Sequence, residues 1–400
     1  MKDPESKSVL LRDARLVLPA GVRAGKSVSV EHGRIACIDV ESNDLRPSVT
    51  KSLEGLTLYP GFVDVHIHGA NGIDVMQATA ADLCRVAEFL ARAGVTAWLP
   101  TFVPAPDGDY QQANAAIEAA ITAQAEITVG ARILGVHYEG PFVNSVQCGA
   151  LRVAYFKQFS KGTDIDELPT PGTPNAVCMM TLAPEIEGGI ELVQELEKRG
   201  WVSAIGHTRA GIDVLDAAFA AGAAHMTHFM NAMAPLHQRA PGPVAWGLLR
   251  DDVTCDIIAD GVHLDPFVLR LLLRTKGSNG LALISDAIAA AGKGDGQYTV
   301  WGQSIRVEDG RTQNANGNIA GSVITLADAV RMMLSLGASE NDVARMSATN
   351  PSRLLKIDDD CGSIEEGKRA DLVGLDEHGI VRWTMVGGEI VYDETAAIGV

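Results

Sequence analysis

The sequence predicts an α/β protein: a distorted, TIM-like (β/α)8 barrel over residues 57–354, flanked by a small β-sandwich built from residues 1–56 and 355–400. Three observations carry this reading. The middle of the chain alternates apolar strand-like runs with amphipathic helical stretches. Both ends read as short alternating strands. Finally, His66, His68, Glu139, His207, His228 and Asp286 each stand at the end of an apolar run. In a parallel barrel the C-terminal ends of the strands converge on one mouth, where active sites lie.

Taken in order, residues 8–40 give alternating runs from Val9 to Val17 and from Ser27 to Val30, with a turn at Glu31-His32-Gly33-Arg34, a hairpin pattern and not a βα unit. The polar segment 41–52 reads as a linker or edge. Barrel strands are predicted to begin near Thr57, Val95, Ala131, Ala176, Val202, Ala223, Val253 and Leu281, eight in all, the barrel count. A helix over 82–93 puts Leu83, Val86, Ala87 and Leu90 on one face at the 3.6-residue period. Gly94, Gly200 and Gly222 stand where a left-handed residue stops a helix before the next strand. Residues 287–320, rich in Gly and Asn, interrupt the alternation and predict an insertion or lid over the mouth, with a hairpin at Tyr298–Val307. Strands return near Asp371–Leu375, Ile380–Thr384 and Glu389–Tyr392, so the two ends pair in one small sheet domain. A doubly wound sheet would not gather ligands from strands 1, 3, 5, 6 and 8 around one point.

Composition narrows the function. A chain of 400 residues, 46% hydrophobic, buries a large core. A net charge of −17 argues against nucleic acid as partner, because phosphate-backbone binding needs a basic surface. A small phosphorylated substrate stays open, since it needs only one or two local cations. The six cysteines (37, 84, 148, 178, 255 and 361) show no C-x-x-C spacing, which suits a reducing compartment. Residues 1–7 lack an apolar signal core, so the expectation is a soluble, cytoplasmic protein.

His66 and His68 are two apart, so on a strand they share a face and can hold one cation together. Asp64 shares that face and is placed to orient His66 as an acceptor. Glu139 ends an apolar run at a Gly-Pro turn, where a carboxylate is costly to bury without a partner or a metal. His207 and His228 complete a set of imidazoles and a carboxylate without cysteine, the composition of a catalytic metal site. Zinc leads as the divalent ion, with iron, manganese and cobalt as alternatives. Asp286 suits a proton carrier beside such a metal, or else a helix cap. Arg239 and His263 offer donors for an anionic substrate end. The remaining histidines read as structural: His32 and His378 in turns, His237 in a loop, His225 on the opposite strand face from His228, and His137 behind Glu139.

These motifs together resemble a known family. Asp-x-His-x-His-Gly at 64–69, His-Tyr-Glu-Gly-Pro-Phe at 137–142, Gly-His-Thr at 206–208, Thr-His-Phe-Met-Asn-Ala-Met at 227–233 and Ser-Asp-Ala at 285–287 look like the N-acetylglucosamine-6-phosphate deacetylases of the amidohydrolase superfamily. The segment Gly362–Leu372 is similar to the superfamily's closing strand pattern. The resemblance implies hydrolysis of the acetamide of N-acetylglucosamine 6-phosphate to glucosamine 6-phosphate and acetate. It implies Glu139, His207 and His228 as ligands of a principal metal, His66 and His68 as a second site used by some members, and Asp286 as acid/base. Ala150, Asn231, Ala232, His263, Ile319, Ala320 and Gly321 match substrate-contacting positions. It further implies a homodimer in which Arg239 reaches the neighbouring subunit's sugar phosphate. One departure from the family's pattern matters. The usual Lys-Lys-Gly-x-His run is Gln147-Cys148-Gly149-Ala150-Leu151 here, so a histidine that contacts the substrate near the amide is Leu151. Alternatives are therefore a different N-acyl amino sugar phosphate such as N-acetylgalactosamine 6-phosphate, another amidohydrolase substrate, or a non-catalytic sugar-phosphate-binding homologue.

Overall fold

A computed structural model describes residues 8–39, 47–128 and 130–395. The stretch 1–7, read for a signal core, and residues 41–46 of the expected linker lie outside the described residues.

Eight parallel strands form the barrel: β1 (Phe62–Ile67), β2 (Val95–Phe102), β3 (Gly135–Glu139), β4 (Val177–Leu182), β5 (Val202–Ile205), β6 (His225–Met226), β7 (Thr254–Ile258) and β8 (Leu281–Ile284). Each pairs in parallel with the next. Their residues are almost all buried, as strands covered by helices on one side and a filled interior on the other require. The ring is distorted at its seam, where no ladder joins β8 to β1 among the described residues. The Asp286 N–H donates to His66 O (2.9 Å) and the His68 N–H to Ala287 O (2.8 Å). The Asp64 carboxylate also accepts the Ser285 N–H at 3.2 Å.

Helix α1 (Ala80–Arg92) opens on a reciprocal cap between Thr79 and Asp82, and it buries Leu83, Val86, Ala87, Leu90 and Ala91 against the barrel. Gly94 ends it at φ 78°, a left-handed angle that glycine adopts without cost. Among the described residues no helix is long and apolar enough to cross a membrane.

The strand expected from Thr57 is two strands. Thr57–Pro60 pairs with Ser8–Leu18 and Leu372–Leu375 in the terminal sheet, and the chain enters the barrel only after Gly61. A Cβ at Gly61 would lie 2.2 Å from the Thr96 hydroxyl oxygen, so only glycine allows the chain to cross there. The strand expected from Ala131 is broken as well, into Arg132–Ile133 and β3, both paired with β2. Within the polar segment 41–52, Val49–Ser52 forms a strand beside Ser8–Leu18.

The terminal sheet orders its main strands 389–393, 381–386, 372–375, 57–60, 8–18, 21–31 and 34–38. It is one curled sheet more than two stacked ones, for a bridge between Arg34 and Arg369 brings its far edge back. Leu16, Val28, Leu58, Leu372, Trp383 and Met385 form its enclosed core. Alternate residues Val373, Leu375 and Val381 belong instead to the barrel-side core, and the Thr384 hydroxyl donates to Ala91 O at 2.8 Å. The insertion after β8 is a three-stranded antiparallel sheet, 296–300, 303–308 and 311–314, one strand more than the expected hairpin.

Trp383 is the largest side chain of the sheet core and is fully buried. Trp383→Ala is expected to cost about 3–5 kcal/mol in the transition that unfolds this sheet. Denaturant titration followed by circular dichroism checks it, and an unmoved midpoint would contradict the packing described.

Candidate metal centre and active site

Strand ends deliver the predicted ligands. His66 is the penultimate residue of β1, with His68 just beyond the strand, and Glu139 closes β3. His207, His228 and Asp286 each follow the end of β5, β6 and β8 by two residues. Their φ angles are 47°, 32° and 49°. Left-handed backbone is uncommon away from glycine and costs free energy that the surrounding fold must supply. Here it turns each chain sharply, so that the side chain follows the strand into the mouth.

All six groups meet. Glu139 Oε1 lies 2.9 Å from His207 Nε2 and 3.0 Å from His228 Nε2, and those two nitrogens are 3.1 Å apart. His66 and His68 approach Nε2 to Nε2 at 3.1 Å. Glu139 Oε2 is 3.4 Å from His68, and Asp286 Oδ1 is 3.2 Å from His68 and 3.6 Å from His66. Two ligand sets result, His66-His68-Glu139 and Glu139-His207-His228, with Glu139 common to both.

This arrangement fits a cation better than protons. His207 Nδ1 lies 2.7 Å from Gln147 O and His68 Nδ1 lies 3.1 Å from Thr101 O, so each can donate outward and leave a lone pair at Nε2 facing the centre. A proton can serve one edge of the Glu139-His207-His228 triangle at a time, whereas one metal ion serves all three corners. Without a metal the charges strain to compensate. Burial alone would raise Glu139, but hydrogen bonds with His207 and His228 hold its carboxyl well below the usual range. Burial pulls His228 down, yet its hydrogen bond with Glu139 and the nearby carboxylates lift it to about 9. His66 is pushed well below its ordinary value, chiefly by burial.

A second layer holds these ligands. Asp256 on β7 accepts the backbone N–H of His228 and lies 2.8 Å from His225 Nε2, while His225 Nδ1 lies 2.7 Å from the Thr254 hydroxyl. His225 is thus buried behind the site, on the face expected for it. His137 also lies behind, bonded to Val65 O at 2.9 Å and to the Thr181 hydroxyl at 2.8 Å, and burial lowers its pKa to about 4, so it stays neutral. Asp64 differs from expectation. It contacts the backbone N–H of His66 at 3.4 Å and not the ring, whose Nδ1 has no partner among the described residues. Burial raises Asp64 to about 7.

Above the cluster opens a cavity of about 410 Å³. Ala150, Asn231, Ala232, His263, Ile319 and Gly321 line it, as does Leu151. Ala320 is fully buried beside Ile319 and Gly321 but is not among the lining residues. Arg239 is exposed and stands outside this lining. His263 is fixed by Asp260, 2.7 Å from its Nδ1. Sequence reasoning missed Trp301, Asn318 and Asp256. The first two sit in the insertion with no periodic signal. Asp256 had one: it is a carboxylate inside the apolar run Cys255–Ile258, and buried carboxylates need partners.

The chain matches the Amidohydrolase family over residues 57–391. It is 32% identical over 395 residues to the N-acetylglucosamine-6-phosphate deacetylase of Bacillus subtilis, covering 97% of this chain and 98% of that one. It is also 32% identical over 382 residues to the N-acetylgalactosamine-6-phosphate deacetylase of Escherichia coli, covering 95% and 98%. Among solved structures, the N-acetylglucosamine-6-phosphate deacetylase of Thermotoga maritima superposes with a TM-score of 0.84 at 34% identity, over 96% of this chain and 99% of that one. The chain belongs to the amidohydrolase family, and within it to the family of the N-acetylglucosamine-6-phosphate deacetylases.

Proposed function

We propose that this protein hydrolyses the acetamide of N-acetylglucosamine 6-phosphate, giving glucosamine 6-phosphate and acetate. The observation that carries the reading is the shared Glu139, with histidines closing on it from either side and Asp286 beside them. Glu139, His207 and His228 are the ligands of a principal divalent cation, and His66 with His68 those of a second. Zinc is the first choice, and iron, manganese or cobalt suit the same donors. The cation, when bound, polarises the scissile carbonyl and acidifies the attacking water.

Asp286 takes the proton of that water as the carbonyl carbon is attacked, then returns it to the amide nitrogen so that the amine leaves. Its position fits the task, because the seam bond from its N–H to His66 O holds it against the ligands. Asn231 and His263 line the cavity and offer polar groups to the sugar. Arg239, exposed on its own subunit, serves the sugar phosphate of a partner in a homodimer. On this reading the catalytic barrel domain runs from Gly61 to residue 354, and Thr57–Pro60 joins the other described terminal residues in its supporting sheet domain. All six cysteines are free, which supports a cytoplasmic setting.

A second substrate reading is the C4 epimer, N-acetylgalactosamine 6-phosphate. It is favoured by the equal identity to the Escherichia coli enzyme and by Leu151 where the family carries histidine. Comparing amine release from the two sugar phosphates decides between them.

Three outcomes test the site. Asp286→Asn should bind metal at unchanged stoichiometry and lose at least about 100-fold in kcat/KM. Retained turnover would remove Asp286 from the chemistry. His228, with a pKa near 9, is protonated at neutral pH and must lose that proton to ligate. Metal affinity should therefore rise with pH until about 9, with about one proton released per cation at pH 7 in calorimetry across buffers of different ionisation enthalpy. Uptake without proton release would show that His228 is already neutral before the metal binds. Finally, mixing Asp286→Asn with Arg239→Ala subunits, each inactive or nearly so alone, should restore activity through dimers that hold one intact site. No recovery would contradict the placement of Arg239 across an interface.

A further inference from the structure

One wall of the cavity has no part in the chemistry above. Apart from the indole N–H of Trp301, which has no partner among the described residues, it is apolar, and Trp301 brings it against the metal cluster. Trp301 occupies the turn of the insertion hairpin, between the paired residues Val300 and Gln303. Residues at such turns are ordinarily solvated, yet Trp301 is only 6% exposed. Its φ of 53° is a strained angle for a bulky side chain, costing on the order of 1–3 kcal/mol. The indole meets the His68 ring edge-on, with centroids 5.0 Å apart and planes at 82°. Leu151, 7% exposed, lines the same cavity from the loop after β3.

Hydrogen bonds lock the two segments to each other. Gln303 Nε2 donates to Ala150 O at 3.4 Å, and Asn318 Nδ2 donates to Gly149 O at 3.1 Å. The Trp301 N–H reaches the Asp74 carboxylate at 3.4 Å. The loop is tied to the metal cluster in turn, because Gln147 O holds His207. The indole and Leu151 are therefore fixed relative to the ligands and cannot give way without breaking these bonds.

An amide whose carbonyl meets the cluster presents two arms to the protein. The amine arm carries a hydroxylated, anionic sugar and needs the polar groups of Asn231, His263 and Asn318. The acyl arm is left with the apolar wall. We propose that Trp301 and Leu151 form the acyl subsite, which holds the chain attached to the scissile carbonyl and limits its length to that of an acetyl group. This assignment rests on the deacetylase reading above and names the feature of the substrate that the reading leaves open. Each methylene beyond the acetyl group meets a rigid wall, and one methylene of misfit in such a pocket is worth about 10–200-fold in kcat/KM.

The test is a series of N-acetyl, N-propionyl and N-butyryl glucosamine 6-phosphates, assayed by amine release with metal-loaded wild type, Trp301→Ala, Trp301→Phe and Leu151→Ala. The wild type should favour acetyl over propionyl by at least about tenfold. Trp301→Ala and Leu151→Ala should raise the propionyl-to-acetyl ratio by about tenfold or more, with Trp301→Phe between them and the wild type. Inhibition by glucosamine 6-phosphate, which has no acyl arm, should stay within about threefold of wild type, a change under 1 kcal/mol. Turnover with an unchanged acyl ratio in all three variants would overturn the subsite and leave the deacetylase reading intact. A parallel rise in the inhibition constant would also overturn it, reducing Trp301 to a support for the loop. Absence of turnover with every chain in the wild type would sink both readings together. Trp301→Phe keeps an aromatic ring at the turn, so the ratio stays measurable if the alanine variant fails to fold.

Discussion

The structure turns on one buried carboxylate. Glu139 is 5% exposed and has imidazole nitrogens on either side of it. A carboxylate so placed is stable only if positive charge meets it. In the protein alone the neighbouring histidines meet it, so that His228 is lifted while Glu139 is held down. A divalent cation meets the same need more completely, because it faces every lone pair at once. A cation that binds the folded chain alone adds its binding free energy to the stability of the fold, the usual coupling of metal binding to folding. The β strands supply the rigidity that keeps these groups together against their own repulsion.

The strain is distributed across the barrel rather than concentrated in one loop. His207, His228 and Asp286 all hold left-handed backbone, and each is clamped from outside the turn. Gln147 O fixes His207, Asp256 fixes the N–H of His228, and His66 O fixes the N–H of Asp286. The last bond belongs to the seam. The ring is therefore held at its seam by the groups that bring Asp286 to His66 and His68, and the distortion of the barrel and the geometry of the site are one feature. Asp64 shows the same economy, for its carboxylate receives N–H groups from both sides of that seam.

How much of this was legible in the sequence follows from the range of the forces. Alternation of apolar strands with helices is a local signal, and a polar residue at the end of an apolar run is tied covalently to a strand whose direction the fold class fixes. His66, His68, Glu139, His207, His228 and Asp286 could therefore be gathered at one mouth before any coordinates were known. Glycine after a helix gave the Gly94 stop for the same reason. The division of 57–67 between two sheets was not legible, because Leu58 and Val63 look alike in sequence and differ only in what lies across from them. Trp301 was hidden for a related reason. Its burial depends on Ala150, Gly149 and Asp74, far away in the chain, and no periodicity in a Gly- and Asn-rich insertion reports them.

The contrast between these two classes of residue bears on how such a site acquires its substrate. The candidate ligands lie on strands or within two residues of their ends, where a change in one side chain disturbs the charge balance around Glu139 and the packing of the barrel together. The groups that line the cavity lie largely on the loop after β3, the loop after β6 and the insertion after β8, where a change disturbs only a few hydrogen bonds. Leu151 in place of the family's histidine is a change of the second kind. It adds apolar surface to the cavity that Trp301 also lines. A barrel of this type can hold its hydrolytic chemistry constant while the loops revise which amide is admitted, because the two tasks are built on elements of different stability.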